Sequence, residues 1–280
     1  MQCSVWAIFR AVSLRAARYD GLVFMAKISA ARLHPPEDSD EQLTAFSDLI
    51  GPLAQDGHIL GDGHRIIALE NELALYAAIP AEDALEKSNW NSWVTQSIEK
   101  LASVGLGDLE LSILGPLHEE WPACACTDRT YLILYTNLFE IAPPVKCGDC
   151  RCPVPLYRLP RMEHDSFYRV RGWDSDYKSC DSLWLNSSTG GRFGARELER
   201  IDSSLSRCGL ELCAELEAST GKPVYFYLWH YYGRSSKQEL ARKCPKCGAE
   251  WLLAEPLHGL FDFRCDPCRL LSSIAADFRR

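Results

Sequence analysis

Cys244-Pro-Lys-Cys247-Gly and Cys265-Asp-Pro-Cys268 are two C-x-x-C pairs separated by 17 residues. That spacing limits the C-terminal fold more than any other feature of the chain. The two thiolates of such a pair leave a tight turn on the same side. A second turn brought alongside by a hairpin then closes a tetrahedron with metal–sulfur arms of about 2.3 Å. Gly248, directly after the first pair, suits a turn that needs a positive φ. Between the pairs, Ala249 to Leu253 and Leu260 to Arg264 read as strands joined by a turn at Pro256 to Gly259. Trp251 and Leu253 share one face, and Phe261 and Phe263 share another. A module of about 40 residues seldom buries enough apolar surface to fold without a staple. The pattern therefore predicts a zinc ribbon over 240–280, with Cys244, Cys247, Cys265 and Cys268 as zinc ligands. Four thiolates fill the coordination shell, which makes the site structural.

Upstream, Cys124-Ala-Cys126 and Cys147-Gly-Asp-Cys150 lie 20 residues apart around an apolar run. Cys124, Cys126, Cys147 and Cys150 form a candidate second metal site, for which Cys152 and Cys180 compete. C-x-C is a weaker half-site than C-x-x-C, and reduced core thiols are the alternative. The chain has 13 cysteines, but paired C-x-x-C spacing without a secretion signal favours metal over disulfides and points to the cytoplasm. No uncharged apolar run approaches the roughly 18 residues of a membrane span.

Residues 1–24 carry Arg10, Arg15 and Arg18 among short apolar stretches and read as a leader or miscalled start. From 25 to 120 the order is βαββαβ. A strand to Leu33 precedes a helix on Ser39 with Leu43, Phe46 and Ile50 inward; strands follow at Arg65–Leu69 and Leu73–Ile79. Asn91 caps a second helix that turns Trp93, Val94, Ile98 and Leu101 inward, and Leu109–Leu114 is the last strand. This order predicts a ferredoxin-like sandwich, an architecture shared by many functions. Residues 121–232 read as a mixed α/β middle region. Its expected strands are Tyr131–Phe139, Val154–Leu159 and Pro223–Tyr232, and its expected helices span 165–186 and 194–219. The whole is α+β, with a polar linker at Gly233–Glu239 ahead of the ribbon.

Net charge is −8, which argues against the whole chain acting as a polycation on nucleic acid. Locally the balance reverses: Arg234, Lys237, Arg242, Lys243 and Lys246 face the single acid Glu239 and follow the aromatic run 225–232. That arrangement makes Arg242, Lys243 and Lys246 candidate nucleic-acid contacts. A protein-interaction scaffold is the alternative, favoured by the acidic charge. Asp174 and Asp176 are a candidate carboxylate pair for a divalent cation, or the wet flank of a helix. Gly61-Asp-Gly63 and Gly105-Leu-Gly107 lack the rest of a phosphate loop, and no histidine pair has H-E-x-x-H spacing. The sequence marks no catalytic residue.

Three segments carry a resemblance to a known family. They are Cys147-Gly-Asp-Cys150 running into Pro153-Val-Pro-Leu-Tyr-Arg-Leu-Pro160, Trp173-Asp-Ser-Asp-Tyr177 with Cys180-Asp-Ser-Leu183, and the 244–268 region with Pro256-Leu-His-Gly259 and Phe261-Asp-Phe263. Together they resemble an uncharacterised bacterial family of Zn-ribbon-containing proteins to which a nucleic-acid-binding role is ascribed. The resemblance implies zinc on Cys244, Cys247, Cys265 and Cys268. It also implies that the Cys147/Cys150 pair is a deliberate half-site, while Cys152 departs from the family's pattern there.

Overall fold

The structure is a computed structural model that describes residues 23–33, 39–117, 122–162, 166–186, 189–233 and 235–275. The expected leader therefore lies outside the described residues up to position 22, as does Arg234. The chain is α+β and builds two sheets.

The first sheet uses β1 (Phe24–Arg32), β2 (Leu60–Ala68), β3 (Glu72–Ile79) and β4 (Leu106–Pro116). They lie in the order β2-β3-β1-β4, every pair antiparallel, which is the order a ferredoxin-like βαββαβ chain gives. Between β1 and β2 run α1 (Ser39–Asp48) and α2 (Ile50–Gln55); α3 (Ser92–Ser103) precedes β4. The Asn91 side chain caps α3 by accepting from the Val94 amide at 2.8 Å. Phe46, Leu49, Leu53, Val94 and Leu101 pack onto Ile28, Leu73 and Leu75 to make the core of this half.

Two side chains expected inward point out: Leu43 is 37% exposed and Trp93 53%. The buried stripe of α3 is Val94, Ile98 and Leu101, and Trp93 sits one residue, or about 100°, around the helix from it. In α1 the stripe runs through Gln42, Ala45, Phe46 and Leu49, which leaves Leu43 off it in the same way.

The second sheet has six strands in the order β6-β5-β7-β10-β9-β8. They are β5 (Leu132–Leu134), β6 (Val145–Cys147), β7 (Val224–Tyr227), β8 (Leu252–Leu257), β9 (Phe261–Cys265) and β10 (Leu270–Ser272). Helices α4 (Tyr168–Asn186), α5 (Gly191–Glu199) and α6 (Ser204–Thr220) lie between β6 and β7, and α7 (Ser236–Leu240) precedes β8. Trp173, Leu212 and Leu216 of α4 and α6 pack with Leu132, Phe226 and Phe263 in the largest core. The opposite face carries Ile133, Tyr225, Tyr227, Phe261 and Leu271. β10 pairs in parallel with β7, so the C-terminal hairpin continues the sheet of the middle region.

Several expectations for the middle region are corrected. The strand expected at Tyr131–Phe139 shrinks to three residues, and that at Pro223–Tyr232 to four. Val154–Leu159 is no strand; a single bridge at Pro153 and a 3-10 turn at Leu156–Arg158 replace it. Pro153, Pro155 and Pro160 have no N–H to give to a ladder. The one helix expected over 194–219 is two. Ser203 breaks it, accepting from the Ser206 amide at 3.1 Å and donating to the Glu197 carbonyl at 2.7 Å. The polar stretch expected as a linker contains α7.

The halves meet at the 3-10 turn. Tyr157 enters the first core and stacks on His58 with ring centroids 5.0 Å apart. Its hydroxyl donates to Asp83 at 2.6 Å, and Arg158 clasps the same carboxylate at 2.6 and 3.0 Å. Asp56, fully buried, receives Arg161.

Candidate metal centres

Eight of the 12 described cysteines, all free, fall into two groups of four. One is Cys124, Cys126, Cys147 and Cys150, the other Cys244, Cys247, Cys265 and Cys268; in each, the Sγ atoms lie within 4.8 Å of one another. The backbone explains how.

In the C-terminal hairpin the Cys244 amide donates to the Ala249 carbonyl at 2.9 Å, and the Gly248 amide returns to the Cys244 carbonyl at 2.8 Å. Gly248 sits at φ +73, where glycine meets no Cβ penalty. The upstream knuckle repeats this pattern: Cys147 donates to the Cys152 carbonyl at 2.9 Å and Arg151 to the Cys147 carbonyl at 2.8 Å. Its positive-φ residue is Arg151, at +63, and after Cys268 it is Arg269, at +53. The fourth half-site differs. Cys124 is held flat by its amide on the Pro153 carbonyl at 2.7 Å, and the Cys126 amide points at the Cys124 sulfur at 3.4 Å.

Cys124 and Cys150 sulfurs are 3.6 Å apart, as are those of Cys247 and Cys265. A tetrahedron with metal–sulfur arms of about 2.3 Å has edges of about 3.8 Å. Both groups therefore could hold one soft, four-coordinate metal ion. Cys152 takes the place of Ala249 in the knuckle and contributes its carbonyl, and Cys180 is packed on α4; neither joins a group.

The electrostatics agree with ligation. Thiols of Cys147 and Cys150, with the Arg129 guanidinium at 3.4 Å, hold the Cys124 thiol far below its ordinary range. Hydrogen bonding to that thiolate pushes Cys147 up to about 12. In the other group, the Ala249 amide and the three neighbouring thiols bring Cys247 down to about 7. In each group one sulfur thus ionises most readily, and a bound cation would take the place of the shared protons.

Several partners here leave no mark in the sequence. His258, at the hairpin tip, reaches the Gly148 carbonyl of the upstream knuckle at 2.5 Å. Arg264 lies over Tyr225 and Tyr131, at 4.7 and 5.1 Å from the ring centroids, bridging the strands between the two groups. A histidine in a hairpin turn and an arginine in a strand carry no spacing that would reveal these contacts.

The expected nucleic-acid contacts are differently placed. Arg242 is turned inward: it donates to Ser272 Oγ at 2.7 Å and the Ser273 carbonyl at 3.2 Å, and covers Phe263 with its guanidinium 4.5 Å from the ring centroid. These contacts occupy much of the guanidinium within the fold. Lys243 pairs with Glu250, and Lys246 is exposed. Asp174 is buried among Thr136, Lys178 and Arg171, at 2.7, 2.8 and 3.2 Å. Arg171 and Lys178 already pair with that carboxylate, and Asp176 is exposed.

Comparison with known proteins gives relatives without an assigned role. Three families, each described as a Domain of unknown function, match residues 26–115 (DUF8589), 126–229 (DUF2310) and 233–278 (DUF8594). An uncharacterized protein of Haemophilus influenzae is 26% identical over 243 residues, covering 85% of this chain and 93% of its own length. A second uncharacterized protein of that organism is 34% identical over 153 residues, covering 54% of this chain and 75% of its own. Among solved structures, a conserved protein of Methanosarcina mazei is similar over 34% of this chain and 94% of its own, with 15% identity and a TM-score of 0.26. A candidate antibiotic biosynthesis monooxygenase of Caulobacter crescentus is similar over 35% and 94%, with 14% identity and a TM-score of 0.28.

Proposed function

Because the chain belongs to the family of the uncharacterized Haemophilus influenzae protein 34% identical to it, we propose its function from its own side chains: it is a cytoplasmic protein with two structural zinc sites that binds single-stranded nucleic acid. The observation that carries the zinc reading is the pair of four-sulfur groups, each with its four sulfurs within 4.8 Å of one another. Soft thiolates in tetrahedral array select zinc among the abundant divalent ions. Four sulfurs leave no open position for a substrate, so the zinc would hold the fold and supply no chemistry at a reacting centre.

Cys124 and Cys126 would close the upstream site over Cys147 and Cys150, and the C-terminal hairpin would close the other. Support for the nucleic-acid reading comes from exposed aromatic side chains lying beside cationic ones, since a base presents a π-face and its backbone a charge. Among the described residues no helix is long and apolar enough to cross a membrane.

Elemental analysis of protein purified without added metal tests the first part. Two zinc ions per chain are expected, falling to one in Cys244→Ser/Cys247→Ser and to one in Cys147→Ser/Cys150→Ser. Zinc lost from one pair only would reduce the reading to a single site, and none at all would sink it. Anisotropy of labelled oligonucleotides with the zinc-loaded chain tests the second part. If the wild-type chain binds none and instead captures one protein partner regardless of nuclease, the scaffold reading replaces it.

A further inference from the structure

The surface residue pattern of α5 runs against the charge of the chain as a whole. The protein carries a net −8, yet α5 presents Arg192, Phe193 and Arg196 outward and is capped at its C-terminus by Arg200. Phe193 is 50% exposed and lies under the Arg196 guanidinium, 5.7 Å from its ring centroid. The acids of the helix are mostly committed to the fold, with Glu197 also meeting Arg196 at 3.5 Å. Glu197 is buried and accepts from the Leu205 amide at 3.2 Å, and Glu199 accepts from the Tyr231 amide at 2.9 Å. Arg200 is matched by Asp202 at 2.7 Å; Arg196 meets Glu197 only at 3.5 Å and its side chain stays 59% exposed, so Arg196 and exposed Arg192 set the sign of the face.

Beside α5 runs a ladder of aromatic rings. Trp184 meets Trp229 edge-on at 4.7 Å and Tyr231 at 4.6 Å; Trp229 and Tyr231 are stacked at 5.5 Å, and Tyr232 abuts Tyr231 at 4.6 Å. Tyr232, at the end, is 61% exposed. Two contacts fix the ladder to the helix. At its start, a Cβ on Gly194 would stand 2.3 Å from the Cys180 carbonyl oxygen and 3.0 Å from the Trp184 amide, so only glycine lets α5 lie this close to α4. At its end, Glu199 holds the Tyr231 and Tyr232 amides. The rings pack against each other. They form a ridge that ends at exposed Tyr232.

We infer that α5 and this ridge are where the chain takes single-stranded nucleic acid, with bases stacking on Phe193 and Tyr232 and phosphates meeting Arg192 and Arg196. This rests on the nucleic-acid reading above and moves the contact away from the C-terminal hairpin, where Arg242 and Lys243 are already engaged. Charge complementarity and available ring faces select the occupant: paired bases in a duplex offer no face to stack on, and single strands do.

Anisotropy of labelled ~20-nucleotide oligo(dT) and oligo(U) over about 50 to 200 mM salt tests this, with zinc content and circular dichroism reporting the fold of each variant. Arg192→Glu/Arg196→Glu should weaken binding at least tenfold and lower the salt slope by about 1.4, about 0.7 for each phosphate no longer neutralised. Phe193→Ala should weaken it about tenfold with the slope unchanged. Lys246→Glu should change neither. Wild-type binding that survives in the double arginine variant would overturn the surface while leaving the nucleic-acid reading standing. Absence of binding by the wild-type chain removes both, and nuclease-resistant capture of a protein that the double variant no longer captures would give the face to a protein partner.

Discussion

The first sheet is made of strands eight to eleven residues long, whereas the six strands of the second run from three to six. Both are covered by helices, yet their cores differ in kind. In the first, alanine, leucine and isoleucine predominate in closing the space. In the second, Cys124, Cys147, Cys244, Cys265 and Cys268 belong to the buried cluster itself. Short strands give few ladder hydrogen bonds, and four of them lie in segments whose ends are fixed by a cysteine knuckle or a proline. The contrast shows where a metal would matter most: the N-terminal half can pair itself into register, and the other half carries its cysteine groups at the two edges of its sheet.

The sharpest way to break that contrast is to take the metal away. Stripping zinc with a strong chelator should unfold β5 to β10 and leave β1 to β4 protected, because ligation in small zinc modules contributes on the order of 10 kcal/mol. Hydrogen exchange read by mass spectrometry distinguishes the halves. Equal loss of protection in both would mean that the first half depends on the second, and the comparison would fail.

Next in size is the converse experiment. Phe46 is 1% exposed at the centre of the first core, and Phe46→Ala should cost about 3–5 kcal/mol by cavity formation. Zinc content should stay unchanged. A variant that lost zinc as well as stability would show that the knuckles lean on the N-terminal core.

Legibility in the sequence follows the same division. The βαββαβ order can be read because long strands and capped helices express their period over many residues, as in Asn91 and the Val94–Ile98–Leu101 stripe. The four cysteines of each group are readable from spacing. What surrounds them is not. Three-residue strands have no period to detect, and the prolines of 153–160 turn an apparent strand into a 3-10 turn. Arg151 and Arg269 sit at positive φ where glycine is the usual signal, so two of the three knuckles carry no turn marker. Arg242 reads as a surface cation, but its burial depends on Ser272 and Phe263, which sequence separation hides. The α5 face is hidden because the apolar pattern merges it into a longer helix.

The smallest effect lies at the join, where the comparison can be sharpened by pH. Burial pushes the Asp83 carboxyl upward, but the Arg158 and Tyr157 hydrogen bonds outweigh it and leave the group below the usual carboxylate range. A carboxylate depressed by folding stabilises the folded chain above its unfolded pKa of about 3.9 and loses that contribution as pH falls through the lower, folded value. The clasp between the halves should therefore be intact at neutral pH and weaken only below about pH 4. With Asp83 partly exposed, Asp83→Asn should cost about 1 kcal/mol at pH 7 and flatten the acid limb of the stability curve. Denaturant unfolding from pH 7 to pH 3, followed in both halves, measures it. An acid limb as steep in Asp83→Asn as in the wild type would place the pH-sensitive contact elsewhere, and the halves would then be joined chiefly by Tyr157 packed on His58.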